Sequence, residues 1–239
     1  KNMKKAGRKR KYKKDTEIMI ECNVKKYESV KWNGLKIRDI TANRNSLSSF
    51  AHIEINPLES HPTAYSKKSE KYYYVLSGQL HFLLNGNEFV ISENDMCIVP
   101  PQTKFAYVNR SNVVVEILLI HTPRLYMNQE VFEDNHFKKL NIYHVIDDNS
   151  FQQNTENGYY SNPSLDKDGY IHFCDTNMLN TVSNYYYKNE DTITILEINP
   201  VKIESKLRYK DINNEGVYYP HVYGPINLNT VTRILKIKK

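Results

Sequence analysis

Between positions 35 and about 122, short apolar runs alternate with turn signals. The runs fall at 48–55, 72–76, 79–84, 88–91, 97–99, 105–109 and 113–120. Ser77-Gly78, Asn85-Gly86-Asn87, Glu93-Asn94-Asp95 and Pro100-Pro101 separate several of them. Asn-Gly between apolar runs signals a hairpin, because both residues tolerate positive φ. Many short strands at this spacing predict a barrel or jelly roll. Residues 15–34 are mixed and polar, with Trp32 as their anchor.

The rhythm then changes. Residues 123–140 are charged and lack strand alternation, and 127–140 reads as one helix linking two domains. A strand follows at 141–146. Asp147, Asp148 and Asn149 offer caps to a helix of two turns that ends near Asn157-Gly158. Positions 171–174 read as a short strand. Positions 176–187 fit a helix with Met178, Leu179, Val182 and Tyr186 as its apolar stripe. Strands at 192–198 and 230–237 close the chain. The pattern divides the chain into a leader (1–14), a barrel domain (15–124), a linker (125–140) and an α+β domain (141–239). The fold class is mainly β plus α+β.

Charge changes this picture at the N-terminus. The formal net charge is +6, and residues 1–14 hold nine Lys or Arg and no acid. Subtracting those nine leaves −3 for positions 15–239. The leader is expected to be disordered. Nucleic acid would be contacted only through it, and it could also serve as a nuclear import signal. The 19 tyrosines and 27 asparagines reflect the bias of an AT-rich genome more than a dedicated binding surface. Three cysteines, Cys22, Cys97 and Cys174, have no zinc-ligand or disulfide spacing. No apolar run approaches a membrane span. These features point to the cytoplasm, or to the nucleus if the leader is read there.

Two segments in the first domain carry a resemblance. Tyr73-Tyr-Val-Leu-Ser-Gly-Gln79 and Asn94-Asp-Met-Cys-Ile-Val-Pro-Pro101 resemble the two motifs of cupins, in order and in spacing, with Asn94 where the second motif has glycine. Metal cupins bind through histidines and a glutamate, whose nitrogen and oxygen donors converge on a divalent ion. Here the paired-histidine positions fall on Tyr65, Ser66 or Lys67, depending on a one-residue shift. The glutamate position falls on Lys71, or on Glu70 if the strand is bulged, and the last histidine position is Phe105. The resemblance therefore implies a metal-free barrel. It would serve as a homodimerisation or second-site binding domain, or work as a sugar-nucleotide isomerase or epimerase through His81 with Tyr73 or Tyr107. Tyr65, Lys67, Tyr73, His81, Phe105 and Tyr107 form its candidate site.

The second domain carries another resemblance. Residues 141–237 resemble the DUF952 family in block order: an Ile-Tyr-His-Val strand, Tyr159-Tyr160, Gly169-Tyr-Ile-His-Phe-Cys174, a helix, the Leu-Glu-Ile-Asn-Pro strand, and Tyr219-Pro-His-Val-Tyr-Gly-Pro225 read as a turn. The family has no settled reaction, and its fold is similar to ADP-ribosyltransferases. The resemblance implies a cleft with His144, Tyr159, Tyr160, His172, Cys174, His221 and Tyr223 as ligand-binding residues, and an NAD-like molecule as one candidate ligand. Catalytic members of the similar fold use a glutamate to stabilise developing positive charge. Lys210 stands where family members carry such a residue, and Glu197, Glu204 and Glu215 remain as candidates. The expected function is binding, or processing, of a small nucleotide-like or phosphorylated molecule in this cleft. A third reading is a non-enzymatic interaction protein acting through the leader.

Overall fold

The computed structural model describes residues 23–42, 44–134, 136–137, 141–147 and 150–238. The basic leader, Cys22, Asp148 and Asn149 lie outside the described residues.

The first domain opens with a hairpin of β1 (Val30–Trp32) and β2 (Leu35–Asp39). Asn33 and Gly34 make its turn with φ of 47° and 78°. Then come β3 (Ser49–Ile55), β4 (Ser60–Ser66), β5 (Glu70–Ser77), β6 (Gln79–Leu84), β7 (Asn87–Ser92), β8 (Met96–Val99), β9 (Phe105–Val108), β10 (Val115–Thr122) and β11 (Glu130–Phe132). They form two antiparallel sheets, ordered β1-β2-β3-β10-β5-β8 and β11-β4-β9-β6-β7. This is the two-sheet jelly roll that the strand spacing predicts. Alternate residues of each strand face the core, where Tyr73, Phe82, Phe105, Tyr107 and Ile117 are fully buried. Asn85-Gly86 forms the predicted β6–β7 turn, at φ of 49° and 83°. Asn94 sits at φ 73°. Asparagine tolerates that left-handed conformation, which is why it can replace the motif glycine.

The expected helix over 127–140 is not formed at residues 127–134, the described part of its first half. A single 3-10 turn at Met127–Gln129 runs into β11, which pairs antiparallel with β4. Pairing lets Glu130 bury its carboxylate against Lys71, and that contact outweighs local helix preference. The barrel therefore extends past position 124.

The second domain comprises β12 (Ile142–Asp147), α1 (Ser150–Gln153), β13 (Thr155–Glu156), β14 (Tyr159–Tyr160), α2 (Ser164–Asp168), β15 (Ile171–His172), α3 (Leu179–Tyr186), β16 (Thr192–Ile198), β17 (Lys206–Lys210), β18 (Tyr219–Tyr223), β19 (Ile226–Asn227) and β20 (Val231–Lys238). Its three small sheets are β12-β16-β20, β13-β14-β19 and β15-β18-β17. Asp147 caps α1 by accepting from the Ser150 amide at 3.0 Å. The helix is one turn rather than two, because Asn157-Gly158 serves as the β13–β14 hairpin turn and not as a helix end. One face of β12 and β16 packs Ile142, Ile146, Leu196 and Ile198 against Tyr160, Phe173 and Val222. The other packs Val145, Ile193 and Ile195 against Leu179 and Val182 of α3. The Pro-His-Val-Tyr segment is strand β18 rather than a turn, with His221 opposite His172 and Arg208.

Side-chain amides of the barrel complete the backbone bonding around β17. Gln79 donates Nε2–H to the Tyr209 carbonyl at 3.1 Å and accepts from the Tyr209 amide at 3.0 Å. Asn112 donates to the Ile203 and Ser205 carbonyls, both at 2.8 Å, and accepts from the Leu207 amide at 3.2 Å. Nearby, Arg110 pairs with Asp175 at 2.5 Å.

Candidate functional site

His144, on β12, is 5% exposed, and its hydrogen bonds fix its tautomer. Nδ1–H donates to the His172 carbonyl at 2.7 Å. A carbonyl can only accept, so the neutral ring keeps its lone pair on Nε2. That nitrogen accepts from the Tyr160 hydroxyl at 3.0 Å and from the Asn162 amide at 3.3 Å. Asn162 also donates to the Tyr160 oxygen at 2.8 Å. Burial pulls the His144 pKa down to about 4, against the bond to His172, so the ring is neutral near pH 7. Its N–H and its one lone pair are thus both engaged within the protein.

His172 and His221 face each other across β15 and β18 with ring centroids 5.2 Å apart. His172 is exposed and donates Nε2–H to Asp168 at 3.3 Å. His221 is 0% exposed, lies edge-on to Tyr170 at 4.4 Å, and among the described residues no group meets either ring nitrogen with full hydrogen-bond geometry. Burial lowers its pKa to about 4, with His172 and Lys210 adding to the effect and a weak contact to the Tyr219 backbone opposing it. Buried polar atoms without partners are rare in folded proteins.

Cys174 exchanges backbone hydrogen bonds with Tyr143 at 2.8 and 2.9 Å. Burial, helped by the Asp175 carboxylate, pushes its thiol up to about 12. A thiol held protonated is neither a nucleophile nor a metal ligand near pH 7.

His144, His172, Cys174 and His221 line one cavity of about 420 Å³. Such a volume suits a small organic molecule. Its walls are aromatic, from Tyr143, Tyr170, Phe173, Tyr186, Tyr187 and Tyr219. Asp168, Asp211 and Glu215 also line it, and no Lys or Arg is among the described lining residues.

The remaining expected residues stand outside this cavity. Tyr159 is exposed and donates its hydroxyl to Glu204 at 2.9 Å. Tyr160 lies behind His144 and holds it. Tyr223 packs on Tyr170 at 5.5 Å without lining the cavity, and its buried oxygen has no partner among the described residues. Of the candidate glutamates, only Glu215 lines the cavity; Glu197 accepts from Asn141, and Glu204 from Tyr159. Tyr170 and Asn162 were missed by sequence reasoning. The period of two places Tyr170 on the same face as His172, and their rings are 5.0 Å apart.

The barrel's expected site divides into three. Tyr73, Phe105 and Tyr107 pack inside the core. His81 lies on the opposite face of β6 from Leu80 and Phe82, edge-on to Tyr209 at 4.3 Å. It lines a separate cavity of about 450 Å³ between the domains, with Arg110 and Asp175. Tyr65 and Lys67 line an open depression beside Lys104 and Glu133. His81 thus cannot act with Tyr73 or Tyr107, and the isomerase reading loses its acid–base pair.

Lys71 takes the position that the cupin resemblance gives to a metal-binding glutamate. It points inward, 2.6 Å from Glu130, with the two side chains 5% and 2% exposed. Its ammonium stands 4.9 Å from the Phe105 ring centroid. Burial lowers its pKa while Glu130 opposes the shift. Among the described residues, no group of three or more His, Cys, Asp and Glu is placed to hold a metal. Nor is any helix among them long and apolar enough to cross a membrane.

Comparison with family models matches residues 51–121 to the cupin domain and residues 145–234 to DUF952, a family described as a protein of unknown function. The chain carries a cupin domain followed by a DUF952 domain. A search of curated proteins finds no match. Similar solved structures include Streptomyces PAC13 with uridine, at 20% identity and TM-score 0.43, covering 49% of this chain and 92% of that one. The Schizosaccharomyces pombe Cnp3 cupin domain is 15% identical with TM-score 0.40, covering 44% of this chain and 74% of that one. KdgF from Halomonas sp. is 13% identical with TM-score 0.39, covering 42% and 90% respectively.

Proposed function

We propose that this protein binds a small nucleoside-like molecule in the cleft of its DUF952 domain, through the base and sugar rather than through a phosphate. The observation that carries this reading is the pairing of two neutral histidines in one tyrosine-walled cavity. His144 is held there by Tyr160 and Asn162, and His221 offers ring nitrogens that no described residue satisfies by hydrogen-bond geometry. Flat rings stack on tyrosines, and hydroxyls or ring N–H groups can donate to such acceptors. A phosphate would meet Asp168, Asp211 and Glu215, with no Lys or Arg among the described lining residues. For an NAD-like molecule, the cleft therefore suits a ring and a ribose but not the pyrophosphate. An ADP-ribosyltransferase-like reaction would have Glu215 as its available carboxylate.

The barrel belongs to this proposal as a dimerisation domain. Its edge strand β8 exposes Met96 and Ile98, at 55% and 44%, beside Leu76 at 37%. A second copy laid along this edge would cover them.

Calorimetric titration of the full chain with nucleosides and their 5′-monophosphates tests the ligand reading. Nucleosides should bind at least as tightly as the monophosphates. Tighter binding of the monophosphates, or no nucleoside binding, would overturn it.

A further inference from the structure

We infer that the cleft selects a flat nitrogen heterocycle bearing positive charge over its neutral counterpart. This deepens the nucleoside reading and rests on it.

The first ground is the charge around the cavity. Asp168, Asp211 and Glu215 line it. Asp211 accepts from the Glu215 and Gly216 amides at 3.1 and 2.7 Å, which holds the loop carrying Glu215 at the cavity. The ammonium of Lys210 is near, 5.9 Å from the Tyr170 ring centroid and 5.4 Å from that of Tyr223, but Lys210 does not line the cavity. Three carboxylates line the cleft, against the cations of Lys210 and of Arg208, which stands opposite His221 on β17, so acidic groups outnumber basic ones there.

The second ground is the wall. Tyrosine faces carry negative quadrupole potential and attract cations. Tyr170 already receives Lys210 in this way, and Tyr143, Tyr186, Tyr187 and Tyr219 present further rings to the cavity. An uncharged ligand would use these rings for area alone, and an anion would be repelled.

The third ground is independent of charge. His221 is fully buried at the cavity, and among the described residues neither ring nitrogen has a hydrogen-bond partner. One nitrogen of a neutral imidazole accepts, and a ligand amino or ring N–H would satisfy it. A simple ammonium ion would not fill the space between the rings, whereas a flat heterocycle does both jobs.

Two isomers separate charge from shape. 1-Methyladenosine is protonated and cationic below neutral pH, while its isomer N6-methyladenosine stays neutral there. Titrated into the full chain at pH 6.5 and low salt, the cation should bind at least about tenfold more tightly. The preference should shrink as salt is raised. It should also collapse in the Asp168→Asn/Glu215→Gln variant. An unchanged melting temperature would confirm that the variant is folded. Equal affinities in the native chain, or a preference that survives in the variant, would overturn the inference and leave the nucleoside reading intact. Phenyltrimethylammonium separates the two failures. If it binds while no nucleoside does, the cation preference stands and the nucleoside reading falls. If neither it nor any nucleoside binds, both fall.

Discussion

His144 donates its Nδ1–H to the carbonyl of His172 at 2.7 Å, so the strand that carries one histidine sets the tautomer of the other. That bond leaves the ring's lone pair on Nε2, where Tyr160 and Asn162 donate to it. In the folded chain His144 and His221 titrate at about 4, below the ordinary value of 6.5. Between those values the unfolded chain binds more protons than the folded one, so stability rises with pH. The melting temperature should fall as pH drops from about 7 to about 4. His61 and His121 contribute in the same direction, being held at about 3. A His144→Gln/His221→Gln variant should show a shallower fall. An equal slope in the variant would show that these two rings are not the buried neutral groups described.

The Lys71–Glu130 pair makes a prediction about the barrel. Lys71→Met alone leaves Glu130 buried without its counter-charge, and should cost about 3–5 kcal/mol. Replacing both by methionine removes the charge from the interior and should recover most of that loss. Urea denaturation of the native, single and double variants measures both effects. A double variant as unstable as the single one would contradict the pairing.

The junction between the domains rests on Gln79 and Asn112. Each makes two or more hydrogen bonds to backbone around β17. Gln79→Ala or Asn112→Ala should cost about 1–3 kcal/mol. Hydrogen exchange at the amides of Tyr209 and Leu207 respectively should speed up, while exchange in β10 stays unchanged. Uniform acceleration would mean that the whole chain has been weakened instead.

Dimerisation through β8 is tested by light scattering. Native chain should run as a dimer, and Met96→Lys/Ile98→Lys as a monomer. A native monomer would remove the dimer from the account.

Most strands were legible in the sequence because they repeat every two residues and end at Asn-Gly, Ser-Gly or Pro-Pro. The hairpin of β1 and β2 carried the same mark, Asn33-Gly34, but lies in a polar stretch where the strand period is hidden. β11 was illegible for another reason. Its pairing with β4 and the contact of Glu130 with Lys71, 59 positions apart, are both long-range, and no local pattern reports them. In the cleft, His144, His172, Cys174 and His221 were found through their blocks. Tyr159, Tyr160 and Tyr223 fell outside the cavity because alternation and packing turn them away from it. The acidic rim of Asp168, Asp211 and Glu215 was not legible, since those residues come from α2 and from the loop between β17 and β18, which only the folded chain brings together.

The most direct test of the cleft is His221→Phe, read for stability and for binding together. Phenylalanine keeps the buried ring and removes two polar atoms that no described residue satisfies. Unpaired buried polar atoms carry a desolvation cost, so the variant should melt at the same temperature as the native chain or higher. Nucleoside affinity should nevertheless fall by about tenfold or more, because the ligand then loses the acceptor it satisfies. Unchanged affinity alongside unchanged stability would contradict the account, leaving His221 a packing residue and the cleft without its recognition group.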